Sequence, residues 1–551
     1  MNKKQIFITL LIFLIAAIFR IAMLDKASGL WYDELVSYKQ ASQDSILQVI
    51  LYTLNTDVHL PLYQVFLHIW CKIFTFSDIA LRSFSALCGI LTVITSFFAG
   101  KELKNIKTGI ITASIFALNS FFINYSQEVR MYAFLILLAT LNILFTIRIK
   151  NNPNNKYNYI FHTLTSAALV YTYTISFIYV LGLLFTLFVY MKTKLSRDYL
   201  KKYFISTASF LVFCIPLFLS LIFNYSKYTT EINGYYCDWS SLFVIIQNIY
   251  TPVLIGLGNN PQHYMAQLFS NPSILNILLI FIPIAIGLSS TIYTIKKDKF
   301  SFVIISGSLL FLLAEIIAFK FTNFKILSRY FSVGMPAILI LFGYGLSLMN
   351  KKICYSVLSV FIAINLGYLI FSPNAAYKLE RQGYKPLALF VNSLQPKKSD
   401  FIVVWNRKEI LDKYTDTNAN ILSILKDFAY KSEIMLNNDV ELKKLPIERR
   451  KELLKNYFLD NGIPYNTYIL MSYILERMNN GDKFIITTNV SFDGYDKKNF
   501  KELIENNYSN TTLNDLLTIK SLTDIKLICD KNLNFVEKKT IGDFVVTVYK
   551  K

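Results

Sequence analysis

The chain has 551 residues, of which 54% are hydrophobic and 15% aromatic, and its mean hydropathy is +0.41. This composition excludes an ordinary soluble protein of this length and indicates a polytopic membrane protein. The formal net charge of +20 lies mostly in short basic clusters between hydrophobic runs, which is a signal of membrane topology and argues against nucleic acid as a partner.

The N-terminal residues 1–4 precede an apolar run that ends near Arg20. Because no small-residue cleavage site follows, we expect a retained first span and not a removed signal peptide. Apolar stretches of about 17 to 25 residues have the length that crosses a bilayer as a helix. They predict eleven spans, near 6–24, 80–100, 108–125, 130–149, 158–173, 175–191, 203–223, 273–294, 300–319, 329–349 and 353–371.

One apolar stretch, PLYQVFLHIWCKIFTF at 61–76, is short and contains His68 and Lys72. If it crossed the membrane, the basic clusters would scatter to both sides. If it lies along the outer interface as an amphipathic helix, all of these clusters face the cytoplasm. We therefore predict an interfacial helix, which places four stretches outside the cell: 25–79, 125–132, 224–272 and 321–331.

The composition becomes polar and charged after Phe371. We predict a membrane domain at 1–371 and a small extracytoplasmic α/β domain at 372–551. The predicted strands are FIVVW (401–405), KFIITT (483–488) and DFVVTVYK (543–550), and KNFKELIENNY (498–508) is a predicted helix. The stretch VEKKTIGDFVVTVY predicts a terminal hairpin with Gly542 at its turn.

Two adjacent acids, Asp33 and Glu34 in WYDELVSYKQ (31–40), follow the first span directly. An unpaired, dehydrated charge is costly at the rim of a bilayer. The acids alone leave open a hydrated surface loop, an ion path or a catalytic site. A catalytic site is favoured because other polar side chains emerge at the same outer interface from different spans, namely His59, Glu128, Arg130, Arg329 and Tyr330.

The chemistry that such a cavity suits follows from its charges. A carboxylate can take a proton from a hydroxyl group, and the arginine fork matches the oxygens of a phosphate. At the level of the lipid headgroups, this pairing suits a lipid phosphate. Since soluble nucleotide sugars are absent outside the cell, an outward-facing transferase needs a donor that the membrane delivers, such as a polyprenyl monophosphate sugar.

Six stretches in the same order resemble the bacterial GT-C glycosyltransferases related to protein O-mannosyltransferases and the aminoarabinose transferase of lipid A. They are LWYDELVS (30–37), HLPLYQVFLHIW (59–70), IALRSFSALCGILTV (79–93), NYSQEVRMYAFLILLA (124–139), YTYTISF (171–177) and SRYFSVGMPAILIL (328–341). The resemblance covers nearly the whole membrane part, about two thirds of the chain. It implies a GT-C fold with about eleven transmembrane helices and outer interfacial helices, and inverting transfer in a single displacement.

The resemblance also implies roles for individual residues. Asp33 matches the first acid of the outer loop, and we expect it to act as general base or to orient the acceptor. We expect Glu34 to accept hydrogen bonds beside it, and Glu128 to contact sugar or acceptor. The expected substrate-binding residues are His59, Arg130, Tyr132, Lys325, Arg329 and Tyr330. For several of these a purely structural role is an alternative, because arginine and tyrosine side chains gather at membrane interfaces.

No cofactor is predicted, and no spacing of histidine or cysteine defines a metal site. The predicted partners are the polyprenyl-phosphate sugar, membrane lipids and an acceptor that is a protein, a lipid-linked glycan or an envelope polymer. A lipid-linked sugar flippase or a membrane-anchored scaffold is the alternative. Against a carrier, the charges collect at one face, and no inverted repeat is evident. We place the protein in the cell membrane, with its active site outside.

Overall fold

The computed structural model is mostly helical and contains one β-sheet. It describes residues 1–194, 197–223, 245–246, 249–250, 274–322, 328–371, 378, 383–404, 413–415, 417–423, 465–489, 513–542 and 544–551. The predicted helix at 498–508, Lys325 and nearly all of the predicted outer loop 224–272 lie outside these residues.

Contacts divide the chain into two compact units. One unit contains Met1–Asp25 and Val36–Leu379, and the other contains Lys26–Leu35 and Glu380–Lys551. The segment Lys26–Leu35, which the sequence predicts to belong to the membrane domain, therefore groups with the C-terminal residues. The predicted domains 1–371 and 372–551 stay a prediction.

The first unit is a helical bundle. Its helices are α1 (Lys3–Ile21), α2 (Tyr32–Ala41, whose first residues belong to the other unit), α3 (Ile46–Thr56), α4 (Leu62–Phe74), α5 (Asp78–Leu103), α6 (Ile106–Leu118), α7 (Ser120–Tyr125), α8 (Tyr132–Asn151), α9 (Lys156–Thr172), α10 (Ser176–Lys194), α11 (Arg197–Phe213), α12 (Ile215–Phe223), α13 (Ile274–Lys297), α14 (Phe300–Thr322), α15 (Met335–Leu348) and α16 (Lys351–Phe371). A 3₁₀ turn at Tyr330–Val333 precedes α15.

Seven helices of the described residues are long and apolar enough to cross a membrane. The prediction of a helical multi-pass membrane protein is confirmed, whereas the number of eleven spans stays a prediction. Helix α4 has 13 residues and is therefore only about 20 Å long. This is shorter than the hydrocarbon core of about 30 Å, which agrees with an interfacial position for 61–76.

A buried arginine joins α1 to the end of α6. Arg20 is fully buried, and its Nη1 atom donates hydrogen bonds to the carbonyl oxygens of Ala16 at 3.1 Å and Ala117 at 3.0 Å. Its Nη2 atom donates to the carbonyl oxygen of Phe116 at 3.0 Å. Because the last carbonyls of a helix have no partner within the helix, the guanidinium group stabilises the end of α6 and ties it to α1.

The turn between α7 and α8 is hydrogen-bonded to the C-terminal end of α1. The Nε2 atom of Gln127 donates to the carbonyl oxygens of Phe19 at 3.0 Å and Ala22 at 2.7 Å. These bonds satisfy carbonyl groups that α1 leaves open at its C-terminus. The turn at 125–132 is therefore held against the first helix.

The second unit contains a five-stranded mixed sheet. Its strands are β1 (Phe401–Val404), β2 (Asn420–Ser423), β3 (Lys483–Asn489), β4 (Asn534–Ile541) and β5 (Phe544–Lys550), and its helices are α17 (Tyr384–Ser393), α18 (Tyr465–Arg477) and α19 (Leu513–Asn532). The strand order is β2-β1-β3-β5-β4. Strand β1 is parallel to β2 and β3, and β5 is antiparallel to β3 and β4. The three predicted strands and the terminal hairpin are confirmed, with Gly542 at the turn at φ +55°.

One hydrophobic core lies between this sheet and its helices. Alternate residues of the strands point into it, such as Phe484 and Ile486 of β3, and they pack with Met471 of α18 and Ile525 of α19. Residues of the opposite face, such as Ile402 and Ile485, are also buried, so both faces of the sheet are covered.

The close approach of α5 to Arg20 requires a glycine. A Cβ atom on Gly89 would lie 2.0 Å from Ser126 Oγ and 2.9 Å from Arg20 Nε. We predict that Gly89→Ala lowers the free energy of unfolding by about 1–3 kcal/mol, as overpacking usually does. Thermal unfolding in detergent measures the change. Gly367→Ala in α16 is the control, because nothing lies within 4 Å of that position. Equal stability of both variants would contradict the prediction.

Candidate functional site

The two acids that follow the first span lie in the first turn of α2. Carboxylates at this position are stabilised by the helix dipole. Glu34 is 1% exposed, and its Oε2 atom accepts a hydrogen bond from the backbone N–H of Trp31 at 3.1 Å. Both acids belong to the segment Lys26–Leu35 of the second unit. That Asp33 shares a cavity with the predicted arginines stays a prediction.

The loop between α3 and α4 holds a half-buried carboxylate. Asp57 Oδ2 accepts a hydrogen bond from Gln40 Nε2 at 3.0 Å, and Asp57 Oδ1 accepts one from the backbone N–H of His59 at 3.1 Å. Gln64 Nε2 in turn donates to Gln40 Oε1 at 3.1 Å. The carboxylate is therefore oriented by neighbouring amides.

Arg130 is a cation whose charge acts on this loop. Its Nη1 atom donates to Ser37 Oγ at 3.4 Å, and its charge acts on both Asp57 and His59. Burial raises the pKa of Asp57, but His59, the hydrogen bond from Gln40 and Arg130 outweigh burial, so the pKa lies below its usual value. Burial lowers the pKa of His59, Asp57 opposes this, and Arg130 lowers it further. At neutral pH, Asp57 is therefore ionised and His59 is neutral.

A buried tyrosine in the turn after α9 contacts this loop. The rings of His59 and Tyr173 have centroids 4.9 Å apart, and Thr174 Oγ1 donates to the carbonyl oxygen of Val58 at 3.3 Å. Tyr173 is 1% exposed. Side chains from three other elements interact with it electrostatically, namely Tyr132, Glu315, Arg329 and Tyr330.

Arg329 lies just before the 3₁₀ turn that begins at Tyr330. Its guanidinium carbon is 5.7 Å from the centroid of the Tyr330 ring, a distance at which a cation is attracted by the ring face. We call Asp57, His59, Arg130, Tyr173 and Arg329 the polar cluster. It brings together the loop after α3, the turn before α8, the turn after α9 and the turn before α15.

The polar cluster has the groups needed to bind an anion beside polar ring surfaces. Two guanidinium groups supply planar donors that match phosphate oxygens. The charges of Asp57 and Arg130 attract each other, and neutral His59 can donate or accept a single hydrogen bond. Across the ranges that the structure describes, no group of three or more histidine, cysteine or acidic residues could hold a metal ion.

The structure brings most of the predicted substrate-binding residues together. His59, Tyr132, Arg329 and Tyr330 all surround Tyr173, and Arg130 joins them through Asp57 and His59. Glu128 is buried in its own turn, where Glu128 Oε1 accepts from Asn124 Nδ2 at 3.1 Å.

Three residues of this region were not predicted from the sequence: Asp57, Tyr173 and Glu315. Asp57 stands two residues before His59, so an acid beside a candidate histidine was the available signal. Glu315 is an acid within the apolar run LLFLLAEIIAF, and an ionisable residue within a span is itself a functional signal. Tyr173 had no signal that separates it from ordinary interfacial tyrosines.

Part of the chain is similar to a known protein family. Residues 58–219 match the family model described as dolichyl-phosphate-mannose-protein mannosyltransferase. This range contains His59, Glu128, Arg130, Tyr132 and Tyr173. No sequence match to a curated protein is found.

Solved structures share the fold over nearly the whole chain. ArnT from Cupriavidus metallidurans bound to undecaprenyl phosphate is similar with a TM-score of 0.51 and 10% identity, over 99% of this chain and 97% of ArnT. The chain therefore has the GT-C fold. The archaeal oligosaccharyltransferase AglB from Archaeoglobus fulgidus, in complex with an inhibitory peptide and a dolichol-phosphate, is similar to this GT-C protein with a TM-score of 0.50 and 10% identity, over 99% of this chain and 74% of AglB.

The predicted resemblance and fold class of this GT-C protein are thereby confirmed. The same archaeal enzyme, tethered to an acceptor peptide, gives a TM-score of 0.51 at 11% identity, over 94% of this chain and 72% of that chain. At these identities the likeness concerns the fold.

The charge of Asp57 offers a test of the polar cluster. We predict that Asp57→Asn lowers the free energy of unfolding at neutral pH by about 1–3 kcal/mol, because Arg130 loses its anionic neighbour. Since the pKa of Asp57 is depressed by folding, its contribution is present at neutral pH and is lost as the pH falls below about 4. Thermal unfolding in detergent at several pH values measures both effects.

The variant should therefore be less stable than the wild type at pH 7, and the difference should shrink as the pH falls through this window. Asp44→Asn is the matched control, because Asp44 is exposed in the turn before α3. A constant difference from neutral to acidic pH would show that Asp57 does not stabilise the fold through its charge.

Proposed function

We propose that this GT-C protein transfers a sugar from a polyprenyl-monophosphate donor to an acceptor outside the cytoplasm, in a single inverting displacement. The acceptor is a protein, a lipid-linked glycan or a polymer of the cell envelope. The observation that carries the proposal is the polar cluster, in which Arg130 and Arg329 approach one His59–Tyr173 pair within a GT-C fold.

A lipid phosphate suits this cluster in charge and in position. The arginines lie at helix ends, where a phosphate headgroup meets the protein, and guanidinium groups bind phosphate in a bidentate manner. The solved relatives of similar fold were captured with undecaprenyl phosphate and with a dolichol-phosphate. These are the sugar-free forms of the donor class that we propose.

The arginines would act on the leaving group. As the bond between the anomeric carbon and the phosphate oxygen breaks, negative charge grows on the phosphate. Fixed cations stabilise this charge more in the transition state than in the ground state, which is the condition for faster reaction. The acceptor forms the new bond from the opposite face of the sugar, and its proton passes to a general base.

We assign the general base to Asp33, following the motif resemblance. Asp57 is the other candidate acid, but its environment favours another role. A carboxylate whose pKa is held low by His59, Gln40 and Arg130 is a weak base, because proton acceptance requires a pKa near the working pH. Asp57 is therefore better suited to orient Arg130 than to remove a proton.

The proposal predicts that Asp33→Asn lowers transfer by about a hundred- to ten-thousandfold, which is the usual contribution of a general base. Donor affinity should change less than about twofold, because the amide keeps the size of the side chain. The assay follows radiolabelled sugar from a polyprenyl-phosphate donor to acceptors in proteoliposomes. Asp44→Asn, an exposed acid of the neighbouring turn, should keep wild-type transfer.

The same assay separates the alternative functions. A transferase moves the label to an acceptor, a flippase moves the intact labelled lipid across the bilayer, and a scaffold does neither. Transfer at the wild-type rate by purified Asp33→Asn would remove Asp33 from the mechanism, whereas movement of intact lipid without transfer would overturn the enzymatic function itself.

A further inference from the structure

An acid of helix α14 lies buried beside the polar cluster. Glu315 is 4% exposed, and neither of its carboxylate oxygens has a hydrogen-bond partner among the described residues. It is seven residues before the end of α14 at Thr322, about 10 Å along the helix axis. Glu315 also interacts electrostatically with Tyr173, the central ring of the polar cluster.

A carboxylate in this position is costly to the fold. Burial of a polar group without a hydrogen bond lowers stability, and buried polar groups in native proteins nearly always have a partner. An acid that faces the interior of a membrane bundle therefore marks a functional position.

Further unpartnered oxygens lie on the segments that adjoin Glu315. Helix α14 packs against α10 and against the 3₁₀ turn at Tyr330–Val333. The buried hydroxyls of Thr172 and Ser176, on either side of Tyr173, have no hydrogen-bond partner in the described part of the chain, and the same is true of Ser332 in the 3₁₀ turn. Several hydrogen-bonding groups could thus bind a polar molecule that carries several hydroxyl groups.

We propose that Glu315, Thr172, Ser176 and Ser332 form the subsite for the sugar ring of the donor, with Glu315 accepting hydrogen bonds from its hydroxyls. This inference rests on the proposed function, because the arginines of the polar cluster would hold the phosphate of the same donor. A sugar ring offers donors and acceptors around its edge, which complements one carboxylate and three hydroxyls. The subsite would thereby distinguish a loaded donor from a bare polyprenyl phosphate.

The test is Glu315→Leu, which removes the acceptors and retains the bulk. We expect the KM for the donor to rise by about 10- to 100-fold, as for loss of two or more hydrogen bonds. The affinity for polyprenyl phosphate without sugar should stay within about twofold. The melting temperature should rise by about 2 °C or more, because an unpartnered buried carboxylate is gone.

The control is Thr186→Val on the same helix pair, because Thr186 Oγ1 already bonds Ser306 Oγ at 2.6 Å; it should leave the KM unchanged. An unchanged KM in an active Glu315→Leu variant, or a lower melting temperature, would overturn the subsite. If the wild type transfers no sugar from any donor, the proposed function is wrong instead. The melting temperature of the variant then still tests whether buried Glu315 lowers the stability of the fold.

A second, independent observation concerns the segment Lys26–Leu35, which we call the acidic segment. The backbone N–H of Leu30 donates to Tyr414 Oη at 2.7 Å, and the backbone N–H of Lys385 donates to the carbonyl oxygen of Ser28 at 3.3 Å. Tyr414 is itself held, because Asn392 Nδ2 of α17 donates to its carbonyl oxygen at 3.0 Å. Leu30 is completely buried.

The contact leaves no room for a side chain at residue 29. Gly29 has φ +74°, a conformation that favours glycine, and a Cβ atom there would lie 2.5 Å from Lys385 Cβ and 2.8 Å from Tyr414 Oη. The acidic segment is thus hydrogen-bonded at Ser28 and at Leu30, on both sides of Gly29. Asp33 follows four residues after Gly29.

We infer that the C-terminal unit positions the acidic segment, and that Tyr414 is a positioning residue for Asp33. The catalytic consequence rests on the proposed function, whereas the contact itself does not. Because a small misplacement of a catalytic group lowers the rate severely, a hydroxyl that fixes the backbone next to Asp33 affects kcat without contacting the substrate.

Tyr414→Phe removes only this hydroxyl group. We expect amide hydrogen exchange at Leu30 to accelerate by about 3- to 10-fold, and kcat to fall by about tenfold with the donor KM within about twofold. Gly29→Ala should act in the same direction. Tyr473→Phe is the control, because Tyr473 is a half-exposed tyrosine on α18 of the same unit.

Unchanged exchange at Leu30 in both Tyr414→Phe and Gly29→Ala would overturn this inference, and so would faster exchange with an unaltered kcat. If the wild type shows no transfer, the proposed function fails, and the exchange rate alone decides whether the C-terminal unit holds the acidic segment.

Discussion

A polar group within a membrane bundle must find its partner inside the protein, because lipid offers none. The Nη atoms of Arg20 and the Nε2 atom of Gln127 meet this requirement with backbone carbonyls at helix ends, so these groups are structural in spite of their polarity. Glu315 does not meet it among the described residues. A buried carboxyl group with neither oxygen bonded differs from side chains that are bonded at some of their atoms, and this difference makes Glu315 a candidate for contact with a substrate.

Hydrogen-bonded and unbonded polar groups lie close together around the polar cluster. Asp57 is fully engaged by Gln40 and the backbone of His59, which fixes its charge beside Arg130. Next to this ordered ion group, Tyr173 leads to the unpartnered oxygens around Glu315. A phosphate needs cationic donors, whereas an uncharged sugar ring needs neutral or acidic hydrogen-bonding groups. The arginines and the oxygens around Glu315 provide these two sets of groups in adjoining regions of the bundle.

The sequence predicts what depends on local pattern. Hydropathy identified the multi-pass bundle, and the alternating runs identified strands β1, β3 and β5 because each has the composition of a buried strand. Asp57 was missed because its meaning comes from partners such as Gln40, 17 residues away. The sequence places Lys26–Leu35 with the membrane domain, whereas its contacts group it with the C-terminal residues. Its partner Tyr414 is 384 residues away, and no local pattern records such a contact.

The order of strands in the second unit has a consequence for biosynthesis. Strand β5 lies between β3 and β4 although it follows both in the sequence, so the sheet closes only after β5 has been translated. At about 5–20 residues per second, the 384 residues between Leu30 and Tyr414 take roughly 20 s or longer to synthesise. The helices of the first unit up to α16 are therefore synthesised before the acidic segment can acquire its partner Tyr414.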